Sequence, residues 1–225
     1  LFRPAFAVQA RELTQSQTIL QNQVEKVSDH LFEKGAMIIP GEIGYDLNYY
    51  AVKLTSIASG VSLTSFSDIV LTGGSSGVRA LVVGTDATDG TDPDTLYVKY
   101  LDSGTSKTST AFTHGETLTG TATLSGVETT ISCVVATCHT GSAAEIQAGT
   151  YYINGYHVQV TNQTIVLDKY TNTPSYRVGL TVTESFVTPS DDSSLNDNAA
   201  GSSNVNAPGA HRFKIDLTLA KKTLT

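Results

Sequence analysis

The feature that most constrains the fold is an abrupt change of sequence pattern near residue 35. Residues 7–34 contain neither Pro nor Gly, whereas the residues that follow are rich in Thr, Ser, Gly and Val. Pro4 is tolerated only at the start of a helix, and Gly35 stands where a left-handed C-terminal cap is expected. The sequence therefore predicts a mainly β protein with a long N-terminal α-helix of about 24 residues, or about 36 Å.

One stripe of this predicted helix has the spacing of a coiled-coil seam. Steps of four and three residues alternate along the stripe, which consists of Leu13, Gln17, Leu20, Val24, Val27 and Leu31. Such a repeat keeps one stripe facing a partner helix. We interpret it as an oligomerisation seam, in which Gln17 sets the register because a buried amide needs an aligned partner. The alternative is a single helix packed against its own β domain.

The rest of the chain has the period of β-strands, in short segments bounded by Gly, Pro, Asn and Asp. Up to residue 136, strands are predicted at residues 37–39, 49–54, 69–71, 78–83, 96–101, 110–112, 116–118, 122–124 and 130–136. Strands in hairpin-length steps favour small antiparallel β-barrel or sandwich modules. We therefore predict an inserted, barrel-like module at residues 52–138.

The strongest hairpin signal lies at residues 151–160, where Asn154-Gly155 separates the run Tyr151-Tyr152-Ile153 from the alternating run at residues 156–160. Asn-Gly accepts the positive φ values of a type I′ turn. Strands are also predicted at 164–167, 177–184 and 211–219, with a polar surface loop at 188–209. The predicted division is an oligomerisation or attachment helix at 1–35, a β domain of 36–51 and 139–225, and the insertion at 52–138.

Charge and hydropathy exclude two classes of partner. The net charge is −7, only 16 % of the residues are charged, and no basic stripe is present. Nucleic-acid binding requires such a stripe, so we expect no nucleic-acid partner. No apolar run approaches the roughly 18 residues that span a bilayer, so we expect no membrane insertion.

Three groups of side chains resemble metal sites without matching one. Zinc ligands are offered by Cys133, Cys138 and His139, but no fourth ligand is nearby and we expect reduced, structural thiols. Calcium ligands are offered by the turn that contains Asp86, Asp89, Asp92 and Asp94, and again by Asp191, Asp192 and Asp197. Their spacing does not match a calcium-binding loop, and aspartates favour turns for local hydrogen bonds. We predict no metal site and no cofactor.

Catalytic motifs are also missing from the sequence. The histidines occur in unlike contexts and are His30, His114, His139, His157 and His211. No Gly-x-Ser-x-Gly elbow joins a strand to a helix, and the Gly73–Gly77 segment lacks the Lys of a phosphate loop, so we interpret it as a flexible turn. We therefore predict no catalytic residue and no enzyme. A glycosidase whose two carboxylates lie far apart in the sequence stays open as an alternative.

Two parts of the chain resemble a family of tailed-phage virion proteins. Near the N-terminus these are Phe2-Arg3-Pro4, residues 9–14 (QARELT), residues 19–23 (ILQNQ) and residues 30–32 (HLF). Residues 168–170, 172–180 and 206–212 are similar to stretches in proteins of contractile-tailed cyanophages. The resemblance covers roughly residues 1–50 and 150–220, and it carries no catalytic residue.

The resemblance implies a structural component of the tail, the baseplate or the tail-fibre attachment. It implies location in the virion, contact with other tail or baseplate proteins, and assembly as a homo-oligomer, for which we favour a homotrimer. The second function that we consider is a module that binds host-surface glycans. Its sugar-stacking side chains would be Tyr97, Tyr100, Tyr151, Tyr152 and Tyr156, with the loops 85–95 and 188–209 beside them.

Overall fold

A computed structural model of the chain describes residues 7–105, 107–201 and 203–224. Strands account for 50 % of the residues and helices for 13 %, so the predicted mainly β class with one N-terminal α-helix is confirmed. The paired strands are antiparallel. Phe2, Arg3 and Pro4, which carry part of the family resemblance and the predicted helix start, lie outside the described residues.

The N-terminal helix, α1, runs from Ala10 to Leu31. It begins after Gln9, whose backbone N–H donates to the Glu12 carboxylate across the first turn. At the other end Phe32 is extended, and its backbone N–H donates to the Ser28 carbonyl. The predicted cap at Gly35 is therefore wrong: this residue has a φ of 87° in the turn beyond the helix. The helix stops early because Phe32 turns its ring towards Tyr152 and His157.

The strands of the described residues are arranged in three sheets. A three-stranded sheet has the order β1-β8-β9, with β1 at Met37–Ile39, β8 at Gly149–Ile153 and β9 at Tyr156–Val160. Asn154 and Gly155 have φ values of 47° and 87°, which confirms the predicted hairpin and its turn. The strand predicted at residues 37–39 is confirmed as well, and it pairs with β8.

The largest sheet has seven strands in the order β10-β7-β2-β5-β4-β3-β6. Their bounds are Ile43–Ile57 for β2, Val70–Gly73 for β3, Arg79–Asp86 for β4, Thr95–Asp102 for β5, Thr117–Leu124 for β6, Val127–Ile146 for β7 and Gln163–Asp168 for β10. Because β7 also pairs with β6, the pairings of six of these strands run in a ring. One apolar cluster lies among them and includes Val52, Phe66, Leu96 and Ile131.

The third sheet is the pair β11 (Tyr176–Val187) and β12 (Arg212–Thr223). Between them the predicted polar loop contains a short 3₁₀ helix, Ser193–Leu195, and a bridge between Asn196 and Pro208. A further 3₁₀ helix, Leu63–Phe66, precedes β3.

Two strand predictions are corrected by the structure. Residues 110–112 are not a strand; Phe112 is a core residue of a loop, and its N–H donates to the Tyr100 hydroxyl. The segments predicted at 116–118 and 122–124 are one strand, β6, which continues through Gly120 because the ladder with β7 is unbroken there.

The chain divides into two compact units. Unit 1 comprises residues 7–43, Glu145–Gln163 and Val178–Ala220, and unit 2 comprises Gly44–Ala144, Thr164–Arg177 and residues 221–224. The division into a helix at 1–35, a β domain and an insertion at 52–138 stays a prediction.

Candidate assembly surface

Within unit 1, helix α1 packs against the β8–β9 hairpin through a largely polar stripe. On the helix the stripe consists of Gln21, Glu25, Ser28 and Asp29, spaced so that they share one side. Phe32, the extended residue just beyond the helix, continues the contact through its ring. Ser28 is the buried residue of α1, with 6 % of its surface exposed. We call this set the hairpin-facing stripe.

Hydrogen bonds from the turn of the hairpin and from the adjoining end of β8 hold this stripe in place. The Gln21 side-chain amide donates to the Gly155 carbonyl at 2.9 Å. The Tyr152 hydroxyl donates to the Asp29 carboxylate at 2.5 Å and lies 3.4 Å from the Glu25 carbonyl. Burial of the ring, and then the bond to Asp29, raise the pKa of Tyr152 to about 12. The phenol therefore stays protonated and can act as the donor.

Close packing at the hairpin turn requires a glycine. A Cβ atom added to Gly155 would lie 2.8 Å from the Cβ and 3.0 Å from the Cγ of Glu25. The same residue has a φ of 87°, a conformation that L-residues with side chains rarely adopt. Gly155 therefore serves both the turn and the approach of the helix.

The predicted seam lies on a different part of the helix and is open to solvent. The exposed fractions are 55 % for Leu13, 64 % for Leu20, 40 % for Val24, 64 % for Val27 and 70 % for Leu31. Gln17 is exposed as well. At about 100° per residue, the seam and the hairpin-facing stripe are centred about 100° apart around the helix.

The structure bears on both interpretations of the helix, the oligomerisation seam and the helix packed against its own β domain. The helix does pack on its own β hairpin, as the alternative requires, but the apolar seam residues stay 40 to 70 % exposed beside that contact. A contiguous apolar stripe on a helix surface is typical of an interaction site. That the stripe meets helices of sister chains, with Gln17 setting the register, stays a prediction.

The four aspartates of the acidic turn in unit 2 have separate partners. Asp92 pairs with Lys53 at 2.9 Å, and Asp86 pairs with Lys169 at 2.7 Å. Asp89 accepts the backbone N–H groups of residues 91 and 92, and Asp94 accepts that of residue 88. These hydrogen bonds lower the pKa of the Asp89 carboxyl. The carboxylates thus stabilise the turn itself.

The aspartates of the 188–209 loop also bind locally. Asp191 accepts both the N–H and the hydroxyl of Thr188, Asp192 accepts from the Ser194 N–H, and Asp197 accepts from the Ala199 N–H.

The two cysteines are free thiols: Cys133 is buried and Cys138 is half-buried. In residues 7–105, 107–201 and 203–224, no three His, Cys, Asp or Glu side chains form a group that could hold a metal ion.

Most tyrosines suggested as sugar platforms are not available for stacking. Tyr97, Tyr151 and Tyr152 are buried, with at most 6 % of their surface exposed. Tyr100 packs edge-on against Phe112, and Tyr156 packs on Phe213. The structure therefore gives no support for glycan stacking on this set.

A buried carboxylate that no sequence pattern indicates organises the Gly73–Gly77 segment. Glu116 is only 6 % exposed and accepts hydrogen bonds from the backbone N–H groups of Ser76, at 3.0 Å, and Thr113, at 2.5 Å. It also accepts from the N–H and hydroxyl of Ser75 and from the Ser76 hydroxyl. The segment is a turn wrapped around an anion from its own chain. No spacing rule links a Gly-Ser segment to a glutamate forty residues later.

None of the helices in the described ranges combines the length and the apolar character needed to cross a bilayer.

A family model described as Domain of unknown function (DUF4815) matches residues 102–224, just over half of the 225-residue chain. The matched region contains strands β6 to β12. Neither the curated proteins nor the solved structures contain a significant match to this chain.

Proposed function

We propose that this chain, which belongs to the DUF4815 family of domains of unknown function, is a non-enzymatic structural protein that assembles with copies of itself. In this proposal, the contact between the copies is the seam of α1. The observation that carries it is the exposure of five apolar seam residues on a helix whose neighbouring stripe is already packed.

The energetics favour assembly that depends on protein concentration. Full burial of a Leu or Val side chain stabilises by about 1.5 to 3 kcal/mol. With 40 to 70 % of each side chain exposed, roughly half of that gain, about 1 kcal/mol per side chain, is still available. Three helices together would gain about 15 kcal/mol, which is of the same order as the cost of the two association steps of a trimer, at roughly 4 to 15 kcal/mol each.

We favour a homotrimer located in the virion of a tailed phage. Support for this setting comes from the resemblance at both ends of the chain to tailed-phage virion proteins. The role proposed there is a part of the tail, the baseplate or the tail-fibre attachment, in contact with other tail proteins. The ring of strand pairings in the large sheet supports the interpretation of unit 2 as a small barrel.

The assembly proposal is tested by measuring the mass of the protein with light scattering after size-exclusion chromatography, over a range of concentrations. We expect about 71 kDa, three times the 23.8 kDa of one chain. Leu20→Asp places a charge in the seam and should yield monomers. The matched control is Ile19→Asp, because Ile19 is similarly exposed, at 53 %, but lies outside the seam.

A wild-type protein that stays at 23.8 kDa at every concentration would overturn the proposal. So would an assembly that Leu20→Asp leaves intact. The role in the phage is tested separately, by labelling tailed-phage particles with an antibody against this chain. Label at the tail or baseplate in electron micrographs supports that role, and label elsewhere contradicts it.

A further inference from the structure

Unit 2 contains a polar groove that the proposed function does not use. The groove has a volume of about 530 Å³ and lies over strands β3, β6 and β7. Its hydroxyl groups come from Thr72, Thr119, Thr121 and Thr130, and we call it the threonine groove. It contains no residue of the loops 85–95 and 188–209.

The strand register places these threonines in two neighbouring rows. Thr72 lies opposite Arg79 on one side and Thr119 on the other, and Thr121 lies opposite Thr130. Residues 119 and 121 are two apart on one strand and therefore point to the same face of the sheet. The hydroxyls thus form a small array across adjacent strands.

The threonine groove presents hydrogen-bonding groups that the chain itself does not use. Among the described residues, none of the four threonine hydroxyls has a hydrogen-bond partner, and neither has the exposed carboxylate of Asp68, which also lines the groove. Each hydroxyl can donate once and accept twice, whereas the carboxylate only accepts. Half-buried Ile69 and Val70 add an apolar portion to the lining.

The charges of the groove do not favour an anion. Arg79 is the cation of the lining, and its guanidinium already lies 3.5 Å from the Asp102 carboxylate. Asp68 adds a negative charge and forms no ion pair within the described part of the chain. A neutral ligand with many hydroxyl groups matches both this balance and the array of donors and acceptors.

We propose that the threonine groove binds a neutral oligosaccharide. Sugar hydroxyls would exchange hydrogen bonds with the threonines and donate to Asp68, while the C–H face of a pyranose ring would pack on Ile69 and Val70. This inference is independent of the helix seam, because every residue that it uses lies in unit 2.

The experiment uses the full chain on an array of neutral oligomers of glucose, galactose, mannose and rhamnose, together with acidic glycans. The neutral oligosaccharide that binds most tightly on the array is then titrated into the full chain, and its affinity is measured by calorimetry. Removal of two hydroxyls in the double variant Thr119→Val/Thr121→Val should weaken binding by about tenfold or more. Thr123→Val is the matched control, since it removes an exposed hydroxyl from the same face of β6 outside the groove, and its affinity should stay within about twofold of wild type.

A second variant keeps the test decisive if the double variant does not fold. Asp68 has a φ of 61°, which Asn also tolerates, so Asp68→Asn removes the charge without straining the backbone. It should also weaken binding by about tenfold. The proposal is overturned if no neutral glycan binds, if only acidic glycans bind, or if the groove variants that fold bind as tightly as the Thr123→Val control. Because the seam is tested by mass and the groove by affinity, either idea can fail without the other.

Discussion

Replacing the buried carboxylate of Glu116 by an amide should destabilise unit 2. Glu116→Gln keeps the shape of the side chain but leaves one acceptor oxygen where the carboxylate has two. The amide NH₂ then faces donors, whether it points to the Thr113 N–H or to the N–H groups of Ser75 and Ser76. At least one backbone donor loses its acceptor, either the part-buried Thr113 N–H or the buried Ser76 N–H.

The size of the effect follows from this count. A buried donor without a partner costs about 1 to 3 kcal/mol, and the remaining bonds lose the assistance of the charge. We expect the free energy of unfolding to fall by about 2 to 3 kcal/mol. In a protein of this length the melting temperature would fall by about 4 to 12 °C. Urea unfolding followed by circular dichroism measures the difference.

The difference in the free energy of unfolding between wild type and Glu116→Gln should also depend on pH in a predictable direction. Burial raises the pKa of Glu116, but hydrogen bonds from Ser76 and Thr113 outweigh it, so the folded-state pKa lies below the ordinary value of 4.5. A carboxyl with a lowered folded-state pKa stabilises the protein above its unfolded pKa, and this stabilisation is lost as the pH falls through the folded value. The gap between wild type and Glu116→Gln should therefore be widest near neutral pH and should narrow below about pH 4.5.

The control for this experiment is Glu128→Gln, at an exposed glutamate on the neighbouring strand β7. It should change the free energy of unfolding by less than about 0.5 kcal/mol. If Glu116→Gln is as stable as this control at neutral pH, the Glu116 carboxylate does not stabilise the Gly73–Gly77 turn, and the prediction is refuted.

Two further predictions concern unit 1 and the core of unit 2. Gly155→Ala should destabilise the protein by more than Gly126→Ala in urea unfolding: both carry a left-handed cost of about 1 to 2 kcal/mol, but a Cβ at 155 also meets Glu25, whereas nothing lies within 4 Å at 126. Equal losses would show that the helix does not approach the hairpin as described. Burial raises the pKa of the Cys133 thiol to about 12, so this thiol should resist iodoacetamide at pH 8 in the folded protein and react after unfolding in urea. Rapid alkylation of the folded protein at Cys133, identified by mass spectrometry, would contradict its burial.

Local sequence signals predicted the elements whose causes are local. The β8–β9 hairpin depends on Asn154 and Gly155, whose backbone requirements can be recognised without knowledge of the rest of the chain. The helix was predicted for the same reason, but its end was not. Phe32 leaves the helix for contacts with Tyr152 and His157, which lie more than a hundred residues away in the sequence.

Long strands were harder to predict than short ones. β7 spans 20 residues, but only residues 130–136 have the period of a half-buried strand. Residues 141–144 of β7 are buried consecutively, and consecutive burial removes the alternation on which a strand prediction depends. Gly120 was interpreted as a break because isolated glycines usually mark one, yet the ladder with β7 continues through it.

The candidate sites divide in the same way. The seam was visible because its spacing lies within one helix. The hairpin-facing stripe was not recognised, since Gln21, Glu25 and Asp29 are ordinary polar residues of a helix surface until Tyr152 and Gly155 are placed beside them. The threonine groove depends on which strands pair, and the strand order could not be inferred from the sequence.

The hydrogen bonds between the β8–β9 hairpin and α1 hold the helix in one orientation. Gln21 and Asp29 fix how far the helix is turned about its own axis before any other molecule arrives. A binding surface that is rigid in advance loses little freedom when it is occupied. Removal of the hydrogen bond to Asp29, for example by Tyr152→Phe, should therefore slow or weaken the proposed binding of a second helix to the seam. The substitution would do so without changing any side chain of the seam itself.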